Sequence, residues 1–131
     1  ATPTAEFYNT IISDNGTDIG YGGTVAAQES QVSKSFSIIG STLLDAEGNT
    51  VSGWTFDPSS MLGALDFHNG GVTKSFSLIP GEANPAINQG MGISELNALA
   101  MTLGLNSELV AKDQNGQTRN EKSIGSYTAN N

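Results

Sequence analysis

Ile11-Ile12-Ser13-Asp14-Asn15-Gly16-Thr17-Asp18 sets an Asn-Gly pair behind an apolar run, and the dipeptide returns at Asn69-Gly70 and Asn115-Gly116. Both residues of such a pair tolerate positive φ, which a type I′ turn requires at its two central positions. Asp45-Ala46-Glu47-Gly48-Asn49 has the same turn character. Apolar or β-prone runs flank every one of these turns, so the chain reads as a string of β-hairpins.

Working outward, residues 5–12 are predicted as a strand with Ala5, Phe7 and Ile11 on one face. Asn15-Gly16 then folds it onto a segment from Asp18 to Ala26, interrupted at Tyr21-Gly22-Gly23 by a bulge or close backbone approach. Val32-Ser33-Lys34-Ser35-Phe36-Ser37-Ile38-Ile39 matches Val72-Thr73-Lys74-Ser75-Phe76-Ser77-Leu78-Ile79. In both copies the apolar residues alternate as they do on a half-buried strand. The match is either a pair of equivalent strands or a coincidence between two Ser-rich ones. Thr50 to Phe56 is a further strand carrying Trp54, the sole tryptophan. Asp57-Pro58 can cap a short helix over 58–65, while a competing reading extends a strand from Met61 to Phe67.

One longer helix is expected over 94–103. Ile93, Leu96, Leu99, Ala100 and Leu103 form an apolar stripe, with Ser94 as cap and Gly104 as terminator. Leu96, Leu99 and Leu103 are expected to be buried against a sheet. Residues 80–92, rich in Gly, Asn and Pro, read as a long loop or arm. Residues 1–8 read as an extended N-terminal arm and 128–131 as an unanchored tail. The expected whole is one mainly-β domain over 1–131, an antiparallel sandwich or barrel of hairpins with one docked helix.

Composition narrows the function. The 131 residues hold 13 acidic and 5 basic side chains, a formal charge of −8, and no Lys or Arg precedes Lys34. Such a surface repels phosphate backbones and anionic membranes, so direct nucleic-acid binding and membrane insertion are not expected. With no cysteine there is no disulfide, thiol catalysis or Cys-ligated zinc. Low charge with abundant Ser, Thr and Asn favours an extracellular or virion setting. The opening Ala1-Thr2-Pro3-Thr4 has no basic or apolar leader and reads as a processed terminus or a chain that has lost its initiator Met.

Chemistry is sparse. His68 is the only histidine, and Asp66 shares its strand face, the minimum for a carboxylate-oriented imidazole in a hydrolase. No Gly-x-Ser-x-Gly elbow accompanies them, and a solvated histidine beside a turn is the plainer reading. Asp14 and Asp18 flank a tight turn whose oxygens could hold Ca2+, although turns favour Asp and Asn for backbone reasons alone. Asn15-Gly16-Thr17 also matches a glycosylation sequon. Trp54, Tyr21 and Tyr8 could form a platform for a glycan, against the reading of Trp54 as a core anchor. Gly20-Tyr21-Gly22-Gly23 lacks the strand, helix and lysine of a phosphate loop.

These features point first to a non-catalytic structural subunit that assembles with copies of itself, such as an extracellular filament, tail-tube or capsid-decoration protein. Its contacts are expected at Ala1, Thr2, Pro3, Thr4, Phe7 and Tyr8, and at Pro80 and Pro85, with no obligatory cofactor. A secreted carbohydrate-binding module, with or without Ca2+, is the alternative, and a hydrolase using His68 the third reading.

Overall fold

The computed structural model describes residues 4–20, 31–81, 83–119 and 122–129. The chain forms β1 (Ala5–Tyr8), β2 (Ile11–Ile12), β3 (Val32–Ser35), β4 (Ile38–Ile39), β5 (Thr42–Leu43), α1 (Pro58–Met61), β6 (Leu62–Asp66), β7 (Ser75–Leu78), α2 (Ile93–Leu103) and α3 (Ser107–Val110). Three small sheets result, ordered β1-β3, β2-β4-β5 and β6-β7. Among the described residues this is a small mixed α/β architecture without a closed barrel, not the single antiparallel sandwich expected.

The largest departure concerns residues 5–12. β1 lies parallel to β3, Ala5 facing Val32 through Tyr8 facing Ser35, and β2 lies parallel to β4, Ile11 facing Ile38. One stretch, 5–13, therefore runs over a second, 32–40, at a constant separation of 27 residues. The register survives the bend between the strands. Asn9 (φ 52°) and Phe36 (φ 50°) both sit in the left-handed region at that bend. Parallel pairing needs a long connection rather than a tight turn, and the intervening chain supplies it. β4 then turns back through Gly40 (φ 64°) onto antiparallel β5.

The turns share chemistry more than type. Only Asn69-Gly70 has both residues at positive φ (52° and 80°), and it joins β6 to β7. At Asn115-Gly116 only the glycine does (φ 80°). There Gly116 N donates to Asp113 O and Asp113 N to Gln117 O, closing a longer turn with the glycine as its left-handed residue. The Asp45 turn repeats those bonds, Gly48 N to Asp45 O and Asp45 N to Asn49 O. Neither residue of Asn15-Gly16 has positive φ. Asp14 takes that conformation (φ 60°), and the Asp18 carboxylate accepts from both the backbone and side-chain nitrogens of Asn15. The expected partner strand of that hairpin falls mostly at 21–26, outside the described residues.

The two Val-x-Lys-Ser-Phe-Ser segments fold differently. Phe36 breaks the first at the bend, whereas Phe76 continues β7. In the second, Ser75 and Leu78 are buried while Val72 is 90% exposed, the reverse of the expected inward valine. The similarity is not a structural duplication. Residues 58–65 satisfy both competing readings in turn: Asp57 caps α1 with Pro58 in its first turn, and β6 follows at once.

The core gathers Ile38, Leu43, Phe56, Leu78, Ala86, Ile87, Ile124 and Ala129, with Ile11, Val51, Trp54, Met61, Leu62 and Tyr127 packed around it. Two segments that contribute to it overturn expectations. The 80–92 segment is no arm, because Ala86, Ile87 and Met91 are buried and Asn84 serves the backbone around them. Its Nδ2 donates to the Met61 and Ile79 carbonyls, and its Oδ1 accepts from Ala86 N. Thr128 and Ala129 are likewise tied in, donating their amides to the Asp113 carboxylate and the Ser123 hydroxyl.

Helix α2 ends at Gly104 (φ 70°) as expected but begins one residue earlier, with Gly92 as cap and Glu95 accepting from its amide. Leu96 and Ala100 are buried, Leu99 is half-buried and Leu103 is 47% exposed. Its main partner is α3, not a sheet. The leucine stripe is thus only partly covered.

Candidate functional site

A groove of about 460 Å³ opens between the outer stretch, represented by Asn9, Thr10, Ile11 and Ser13, and a wall of Leu62, Phe76, Leu78 and Tyr127. Ile11 faces Ile38 in register, yet Ile38 is fully buried and Ile11 only half so. The groove is where the apolar core runs on past its last covered layer. A second recess of similar volume shares Ser13, Leu62 and Phe76 and adds Asp14, Asn15, Asp57 and Ser59.

Asn9 fixes the position of the outer stretch. Its left-handed backbone suits a short polar side chain. Its Nδ2 donates to Ser123 O, its Oδ1 accepts from Met91 N, its carbonyl from Gly125 N, and its amide donates to Ser35 O. Gly90 must be glycine beside it, because an added Cβ would meet Asn9 Oδ1 and, at 2.8 Å, the Lys122 carbonyl oxygen. Buried Asp113 plays a matching role at the other end. It accepts from the amides of Asn115, Gln117 and Thr128 at 2.8–2.9 Å. Arg119 donates to Gly125 O, its guanidinium pKa lowered by burial against the opposing pull of the Asp113 charge.

The bend carries a repeated hydroxyl arrangement. Ser37 Oγ donates to Ser35 O, and Thr10 Oγ1, 27 positions earlier, donates to Tyr8 O. Ser37 Oγ also accepts from the Thr10 amide above it. Beside the bend, the Tyr8 phenol donates to Glu6, and its pKa is raised by burial and then by that carboxylate's charge.

The acid-base candidates do not converge. His68 Nε2 lies 3.2 Å from the Ala64 carbonyl oxygen and its ring meets Tyr127 edge-on, while Asp66 accepts from the Phe67 amide. Asp57, in the second recess, is held below the usual carboxylate range by hydrogen bonds from the Ser59 hydroxyl and amide. That is a helix cap, not a poised acid. Asp14 is exposed and Asp18 serves its own turn. Among the described residues no three His, Cys, Asp or Glu gather to hold a metal.

Trp54 is half-buried against the core, so it anchors packing there. Tyr21, Ala1, Thr2 and Pro3 lie outside the described residues. Thr4 and Pro80 are exposed, and Phe7 and Tyr8 are half-buried in β1. Pro85 is fully buried in its own chain, which removes it from the contact surface. Sequence reading missed Asn9, Thr10 and Asp113. Their one legible trace was Thr10-Ile11-Ile12 returning as Ser37-Ile38-Ile39.

No protein-family model matches this chain, and neither does any curated protein or solved structure. No helix among the described residues is long and apolar enough to cross a membrane.

Proposed function

We propose that this chain is a non-catalytic structural subunit that works by assembly, in an extracellular or virion setting, with the outer stretch as its contact surface. The carrying observation is the one-sided covering of the stacked stretches. Among the described residues nothing pairs with the far edge of β1 or β2, whereas β5 lies along the far side of β4. An open edge is a template for further β structure, and here it borders an apolar groove. Exposed Phe67, Val72, Met101 and Leu109 add apolar surface beyond what solubility requires.

Copies of the chain are the simplest partner to test. Copies that meet through the same edge of residues 5–13 close on each other, so pairs are expected in concentrated solution rather than endless polymers. Light scattering across a wide concentration range should show the mass rising from one chain toward two. Glu6→Pro, which removes an outward amide from the edge, should suppress the rise. A single-chain mass in the most concentrated samples would contradict self-assembly. Phe76 and Tyr127 in the groove favour one second reading, a carbohydrate-binding module, which saturable binding of glycans abolished by Phe76→Ala would support.

A further inference from the structure

We infer that the open edge of residues 5–13 accepts a further parallel coil, a strand-bend-strand segment of polypeptide running in the same direction and in register with them. This rests on the assembly reading and names the partner's chemistry. It comes from what the two existing stretches already do to each other.

Three features recur at the fixed separation of 27 residues. The first is the left-handed bend at Asn9 and Phe36. The second is the hydroxyl after it, at Thr10 and Ser37, donating two residues back. The third is an apolar residue two positions beyond the bend, Ile11 over Ile38. On the inner stretch the second and third features are engaged by the stretch above: Ser37 Oγ receives the Thr10 amide, Ile38 N reaches Thr10 O, and Ile38 is covered. On the outer stretch the same three features are present and face an open groove. Thr10 Oγ1 stands where Ser37 Oγ stands, with no backbone amide of the described residues donating to it. An arriving coil in register would place the amide after its own bend on Thr10 Oγ1 and an apolar side chain on Ile11.

The edge has backbone groups to match. Ala5 N and Asn9 N donate to the inner stretch, as Ile38 N and Gly40 N do to Thr10 O and Ile12 O. By strand alternation, Glu6, Tyr8 and Ile11 direct their backbone groups outward. A second copy meeting this edge across a twofold axis would run antiparallel. It could follow only one arm of the bend, about four residues, leaving the other splayed. Nor can copies stack head to tail, since β5 and the Phe36 N to Asp45 O bond occupy the other side of the inner stretch. A twofold pair of the kind proposed above therefore covers one arm only, and the occupant that fits both arms is a parallel coil of polypeptide, its path set by Asn9, Thr10 and Ile11.

The test supplies such a coil. Residues 5–31 are duplicated in tandem between Thr4 and Ala5 of the full chain, adding one repeat of 27 residues, and amide exchange is followed residue by residue. The expected result is at least tenfold slower exchange at Glu6, Tyr8 and Ile11 of the original stretch, with the mass of one chain. Thr10→Val in the duplicated chain should cancel part of that protection, yet change the parent's exchange little. The same insertion with one extra residue at the bend of the added copy, between its Tyr8 and Asn9, should protect one arm at most, because the two arms then cannot both hold register. Unchanged exchange in the 27-residue variant would overturn the inference. So would equal protection by the longer insertion, or protection that arises only on dimerisation. These outcomes are independent of the parent's own solution mass, so failure of self-assembly and failure of coil stacking are separable.

Discussion

Residues 5–13 and 32–40 follow the same path, strand, left-handed bend, strand, yet they live in different surroundings. The inner stretch has the outer one on one side and, along β4, β5 on the other, and its Ser37 and Ile38 are fully buried. The outer stretch has the inner one on one side and a groove on the other, leaving Thr10 and Ile11 half-buried. The difference at the bend is sharper. Asn9 binds three distant segments through its own polar atoms, whereas Phe36 offers its backbone and an aromatic ring. Backbone path is thus set by register and the bend, while stability is set by what covers each layer.

Substitutions that alter one member of each pair sharpen this contrast. The largest effect belongs to Ile38→Ala, which should cost about 2–5 kcal/mol in denaturant unfolding, since a fully enclosed site collapses poorly around a cavity. Asn9→Ala should follow at about 2–4 kcal/mol, because it strands the Met91 amide and the Ser123 carbonyl in a buried setting. Ile11→Ala should cost roughly half as much as Ile38→Ala, about 1–2 kcal/mol, because the groove already hydrates one side of it. Equal losses at positions 11 and 38 would break the comparison.

Phe36→Asn should change stability by less than about 1 kcal/mol, as relief at the left-handed backbone offsets lost ring contacts. The smallest effect is one of pH. The Tyr8 pKa is raised in the fold, so this group's contribution is complete below the ordinary phenol value and is lost as pH rises through the raised one. Alkaline titration should loosen the outer stretch before the inner one, and Tyr8→Phe should remove that step.

Local chemistry was the legible part of the sequence. Asp57-Pro58 announced α1, Gly104 ended α2, and Asn69-Gly70 formed the expected turn, since each acts on its immediate neighbours. Residues 5–12 were legible as a strand but not as a parallel one. Parallel partners lie 27 residues away, and the one trace near Ile11 of the run it meets is the short likeness of Thr10-Ile11-Ile12 to Ser37-Ile38-Ile39. The stronger likeness, Val32–Ile39 with Val72–Ile79, misled because Phe36 bends and Phe76 does not. Residues 80–92 looked like an arm because Gly, Asn and Pro dominate. The buried hydrogen bonds of Asn84 explain why such a composition can still line a core.

The open edge of the outer stretch is tested most directly by residue-resolved amide exchange of the dilute, single-chain protein. The account predicts slow exchange at Asn9, Ile38 and Gly40, whose amides donate within the stacked stretches, and fast exchange at Glu6, Tyr8 and Ile11, which face away from them. Protection at Glu6, Tyr8 and Ile11 equal to that of Asn9 in the isolated chain would show the edge already covered and contradict it.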